Sequence, residues 1–244
     1  MKYSWLIFLL MVTTECSGQE RVSQKSFPEM TLVNRIDFTD PQFNQPRFSC
    51  GFLLQHQGDT FAVTAKHLLK VIKTGEMGSV SFGTSIKSWS LFPLNRPENR
   101  VVTKKLLNEN TKEALDDKAT YDDDWLVFSL GSNTSGVKPL KVRTTPLQAG
   151  EKLYVVGWTR RIESGPQRVY EFEYYKTIDH RILLKEVLVP EQFGGLSGAP
   201  LVDEQGLVVG VVSNGTVDPA TKKKFFSPCA LDGLLAFLAT NSGK

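Results

Sequence analysis

From Phe48 onward the chain is a succession of short apolar and aromatic runs cut by turn residues, and this pattern restricts the fold more than any other feature. "FSCGFLLQH" meets "QGD" and then "TFAVTAKH", the signature of a hairpin. "SVSFG", "SWSLF" and "VVTKKLL" follow at strand length. A charged surface loop, "NENTKEALDDKATYDDD", leads to "WLVFSL", which reads as a buried strand. A second series begins after "GSNTSG" and comprises "KPLKV", "KLYVVGW", "RVYEFEYYKT", "RILLKEVLV", "APLVD", "LVVGVVS" and "KKKFFSP". Helical periodicity closes the chain, where Leu231, Leu234, Leu235 and Leu238 recur in "ALDGLLAFLAT". Roughly a dozen short strands in two groups, with one terminal helix, predict an all-β chain of two barrels or sandwiches. No internal repeat is legible between the groups.

The 244 residues, 41% hydrophobic and 23% charged, suit one large domain or two small ones. A net charge of +3 is too small to indicate a nucleic-acid partner. The N-terminus reads separately. One Lys, an apolar run from Trp5 to Val12 and then small and polar residues form a secretory signal peptide over 1–18. The run is too short to span a bilayer. Cleavage after Gly18 would leave Gln19 first and place the protein outside the cytoplasm, secreted or periplasmic. A lipid anchor at Cys16 is the less favoured alternative, because Glu15 precedes it. Residues 19–46 are polar and proline-punctuated, with an apolar patch from Met30 to Val33, and read as a lead-in. Residues 47–135 carry the first strand group, and 136–244 the second group and the helix. Cys50 and Cys229 are open to two readings, one bridge or two buried thiols.

"GGLSGAPLVDEQGLVVGVVSNG", Gly194 to Gly215, places Ser197 on a glycine-rich loop ahead of a buried hairpin. Acyl transfer by a serine needs a base, a group that orients the base, and donors for the oxyanion. Three histidines are available. His56 sits at a hairpin tip and reads as surface. His180 opens a strand without a companion motif and reads as structural. His67 ends an apolar strand and starts a short helical turn, "HLLKVI"; spacing alone balances a structural against a catalytic role. Of the consecutive Asp122, Asp123 and Asp124, the last abuts "WLVFSL" and is the one drawn inward, with Asp123 second. The amides of Gly195 and Ser197 can converge if Gly195 takes an unusual φ. A plain glycine-rich hairpin connection would need none of this.

"TAKH", "DDDWLVFSL" and "GGLSGAPLVDEQGLVVGVVSNG" together resemble, in the order His, Asp, Ser, the trypsin/chymotrypsin-like serine peptidases. "GLSGAP" is similar to that family's G-D-S-G-G-P. "PLKVRTTPLQAGEKLYVVGW" resembles the opening of the second barrel in its bacterial, HtrA-like branch, here without a PDZ domain. The resemblance covers roughly residues 48 to 240. It implies two six-stranded β-barrels side by side with the site in the cleft between them, and a C-terminal helix. It implies His67 as base, Asp124 as its orienter, Ser197 as nucleophile, and the Gly195 and Ser197 amides as oxyanion hole. Ser213, Asn214 and Gly215 would pair with substrate backbone. Glu191, near the floor of the specificity pocket, would favour a basic residue. The implied activity is serine endopeptidase on polypeptide substrates, with no metal or organic cofactor and no membrane span.

Departures from the family pattern carry expectations of their own. Leu196 stands where the family has an acid, so the Ser197 loop should be ordered by its own packing or by substrate rather than by a new N-terminus. Leu68 replaces a half-cystine. Lys66, beside the base, is expected to point to solvent. A catalytically inactive fold acting as a protein-binding module is the competing reading. An α/β-hydrolase is disfavoured by the chain order and the absence of alternating helices.

Overall fold

The computed structural model describes residues 22–161 and 164–241. The expected signal peptide, Cys16 and Gln19 lie outside the described residues. The first barrel is built from β1 (Thr31–Phe38), β2 (Gln45–His56), β3 (Asp59–Thr64), β4 (Ile86–Phe92), β5 (Val101–Leu106) and β6 (Leu126–Asn133). Its order is β1-β4-β5-β6-β3-β2, closed by β1 pairing with β2. The second barrel comprises β7 (Lys152–Gly157), β8 (Arg168–Ile178), β9 (Arg181–Leu188), β10 (Pro200–Val202), β11 (Val208–Val211) and β12 (Cys229–Ala230). It closes in the order β7-β8-β9-β12-β11-β10. Helix α1 (His67–Ile72) comes directly after β3, and helix α2 (Asp232–Asn241) follows β12.

The apolar runs that look continuous in sequence are buried on both faces, and alternation divides them. Leu53, Ala62, Leu126 and Phe128 fill the first barrel, while their neighbours Phe52, Leu54, Phe61, Val63 and Val127 face outward. There they meet Tyr154, Val156, Val202, Val208 and Val211 of the second barrel. Leu153 and Val155, one residue out of step with that seam, point into the second barrel's own core. Leu234 and Leu238 of α2 close the seam, and Phe237 packs on Trp125 with ring centroids 5.5 Å apart.

Within the expected lead-in, residues 22–46 are more than a leader to the barrels. Ser23 N–H donates to the Val169 carbonyl at 2.8 Å, and Phe27 packs edge-on against Tyr154. Thr31 Oγ1 then donates to the Val156 carbonyl at 2.7 Å, and the chain crosses to become the first strand of the first barrel. The physical reason is the patch from Met30 to Val33, which is buried throughout and needed a partner sheet. The later boundary is also less sharp than expected. Leu140–Lys141 still pairs with β2, and Val142 bridges to Val208. Cys50 and Cys229 are free, buried thiols in different apolar clusters.

Candidate active site

Strand β3 ends at Thr64, and the chain turns through Ala65 and Lys66 into α1, so His67 enters at the first helical position with 8% of its surface exposed. Asp124 sits where the loop after the 3₁₀ turn Ala119–Tyr121 is pulled in by Trp125 and β6, and it is fully buried. Ser197 comes from the β9–β10 connection of the other barrel. The three side chains meet. His67 Nδ1 lies 2.7 Å from Asp124 Oδ2, and His67 Nε2 lies 2.8 Å from Ser197 Oγ. The other carboxylate oxygen, Oδ1, accepts the His67 backbone N–H at 2.7 Å, and the Ser213 hydroxyl donates to Oδ2.

Burial alone would raise the Asp124 pKa. The hydrogen bond and charge of the His67 ring, the Ser213 hydroxyl and the His67 amide outweigh it and hold the carboxyl below its ordinary value. An ionised Asp124 fixes the ring with its proton on Nδ1, which leaves Nε2 to accept from Ser197.

The loop carrying Ser197 is braced from both barrels. Cys50 N–H of β2 donates to the Ser197 carbonyl at 2.9 Å. Gly198 has φ +82°, and a Cβ there would come within 2.2 Å of the Cys50 carbonyl. Leu196 is fully buried in the second barrel's core, so the loop is ordered by its own packing. The Gly194 carbonyl accepts from Arg160 N–H at 2.6 Å. In a trans peptide the next N–H points the opposite way, so the Gly195 amide faces away from Arg160. Among the described residues neither the Gly195 nor the Ser197 N–H donates to a backbone carbonyl. A cavity of about 170 Å³ opens beside Gly195, lined by Cys50, Leu94, Trp158, Thr159 and Arg160.

Several expectations are corrected. Glu191 is not the floor of a pocket: its side chain is 81% exposed and pairs with Arg161 at 3.1 Å. The inward position goes to Phe193, which stacks on Phe226, itself stacked on Phe172, with centroids 4.7 and 4.8 Å apart. Lys66 does not point to solvent. It is 4% exposed, and its Nζ donates to Glu113 Oε1 at 2.6 Å and to the Thr120 carbonyl at 3.0 Å. A buried ammonium needs such partners, and the 110–120 loop supplies them. Asp123, second choice as orienter, places Oδ1 3.3 Å from His180 Nδ1 instead of reaching His67. His56 ends β2 at the hairpin, opposite Asp59 of β3. Ser213 lies buried on Asp124, while Asn214 and Gly215 are exposed at the cleft.

Two residues of the site carry no sequence signal for the part they play. Ser213 falls in a segment expected to act through its backbone, yet it acts here through its hydroxyl. Arg181, behind Ser213, is in sequence no more than a single arginine at a strand start.

A family model described as Trypsin matches residues 18–231. Among curated proteins none matches the chain. Solved structures share its fold. One described as "Structure of GrC" superposes with a TM-score of 0.61 at 16% identity, over 93% of this chain and 99% of that one. Neuropsin, a serine protease from mouse brain, gives 0.59 at 14% identity, over 87% and 93%. The active form of the Rv3671c protease from M. tuberculosis gives 0.55 at 13% identity, over 88% and 82%.

Proposed function

The chain belongs to the trypsin family, and on that premise we propose that it is a serine endopeptidase in which Ser197, His67 and Asp124 cleave peptide bonds through an acyl-enzyme. One observation carries the reading: an unbroken hydrogen-bonded line from a buried carboxylate through an imidazole to a hydroxyl, at 2.7 and 2.8 Å. Ser197 Oγ attacks the substrate carbonyl carbon as His67 Nε2 takes its proton. The carbonyl oxygen gains the negative charge and is met by the amides of Gly195 and Ser197. Collapse of the tetrahedral adduct breaks the C–N bond, and His67 returns the proton to the leaving amine. Water then repeats the sequence on the ester, regenerating Ser197. Asp124 stays ionised and stabilises the imidazolium.

The binding-module alternative requires a collapsed oxyanion loop, and the bond between the Gly194 carbonyl and Arg160 weighs against it. Polypeptides are the substrates in this reading, with Ser213, Asn214 and Gly215 beside the chain being cut. The proposal includes secretion or a periplasmic location, from the signal-peptide pattern over 1–18, and affinity to the HtrA-like branch, from the segment that opens the second barrel. Ser197→Ala is expected to abolish hydrolysis of peptide substrates while the thermal unfolding midpoint stays within a few degrees. Asp124→Asn should cut kcat about 10⁴-fold. Full hydrolysis by Ser197→Ala would refute the assignment.

A further inference from the structure

We propose that Arg181 is a positioning residue of this site: its guanidinium fixes the Ser213 hydroxyl against Asp124 and ties the Asn214 segment to the Asp124 loop across the seam between barrels. The proposal rests on the endopeptidase reading and adds a residue outside the His, Asp, Ser set.

A guanidinium carries five N–H donors in a rigid planar fork. Arg181 makes five hydrogen bonds. Nε donates to Ser227 Oγ at 3.3 Å. Nη1 donates to Ser213 Oγ at 2.8 Å and to the Tyr121 carbonyl at 3.4 Å. Nη2 donates to the carbonyls of Asn214 and Ser227. Tyr121 belongs to the first barrel and lies three residues before Asp124. The other acceptors belong to the second barrel. One side chain thus pins three segments that must stay in register for Ser197, His67 and Asp124 to meet.

The bond to Ser213 has a chemical consequence. A serine hydroxyl has one proton and a free rotor. Because Ser213 Oγ accepts from Arg181, its proton is directed to Asp124 Oδ2, the oxygen that also holds the His67 ring. Without the guanidinium the hydroxyl can rotate away, and that oxygen loses its second donor. The local fold explains how Arg181 gets there. Asp179 at φ +49° turns the chain between β8 and β9, and Arg181, first residue of β9, pairs across to Cys229. This brings the side chain beneath the 213–214 segment.

Arg181→Met and Arg181→Lys are measured for kcat and KM on a peptide substrate, in the parent chain and in Ser213→Ala. Arg181→Met should lower kcat on the order of ten-fold in the parent and less than about three-fold in Ser213→Ala, because the route through the hydroxyl is then already gone. Arg181→Lys should lose nearly as much, since an ammonium cannot replace a five-donor fork. Equal losses in both backgrounds, full rescue by lysine, or an unchanged kcat would overturn the proposal. If the methionine variant lacks native circular dichroism, the lysine variant carries the same comparison. If neither folds, Arg181 serves fold stability and the positioning role is rejected. A parent chain without turnover contradicts the endopeptidase reading itself, which separates the two failures.

Discussion

Gly195 combines two demands that only glycine meets together. Its φ is +102°, and a Cβ would lie 2.4 Å from Arg160 N and 2.8 Å from Thr159 C, both backbone atoms that cannot yield. Gly195→Ala should therefore displace the loop and, under the proposed mechanism, cost about 10²-fold in kcat, the worth of one oxyanion donor, with the global fold kept. Kinetics beside a thermal melt would check it. Asp124 makes a pH prediction. Its folded pKa lies below the unfolded value, so its stabilising contribution is complete above the ordinary carboxylate range and is lost as pH falls through the folded value. Urea unfolding of the parent and Asp124→Asn should show the parent's advantage shrinking over that acid interval; an advantage unchanged or growing at low pH would contradict it. The thiols are inert by burial, which pushes Cys50 up to about 12 and Cys229 up to about 11. Both should resist a thiol reagent in the native protein and react after unfolding. At this scale His67, Asp124 and Ser197 are readable in the sequence because each borders an apolar strand that dictates its direction. Glu191 is not, because whether a loop acid or its aromatic neighbour turns inward depends on rings distant in sequence, Phe172 and Phe226.

Among the elements, β3 and α1 follow from the sequence almost directly. A continuous apolar run, Phe61 to Val63, ends in polar residues and is succeeded by "HLLKVI", whose Leu68, Leu69 and Ile72 are buried. Strand β1 is harder to see because its interior reads as mixed. Asn34 is fully buried, donating to the Cys50 carbonyl at 2.8 Å and accepting from Trp89 Nε1 at 2.9 Å, so a core position carries a polar side chain. Helix α2 is legible from its leucine spacing. Leu238→Ala should destabilise the chain by about 2–5 kcal/mol, because the side chain fills the seam next to Leu234 and cannot be replaced by water. Chemical denaturation measures that loss.

At the scale of the whole molecule the two barrels have one topology. Numbered within each barrel, the strands close in the cyclic order first, second, third, sixth, fifth, fourth in both cases. No sequence repeat reveals it, because strand pairing constrains burial and register rather than residue identity. What the sequence does carry is the double-sided burial of β2, β3, β6 and β7, whose second faces form the seam. The site depends on that seam: His67 and Asp124 come from one barrel and Ser197 from the other, and each barrel holds part of the other's loop. Labelling the folded protein with a fluorophosphonate and mapping the adduct by peptide mass tests this arrangement. One adduct is expected, on Ser197, and it disappears in His67→Ala. A folded protein that takes no label, or takes it on another residue, would contradict it.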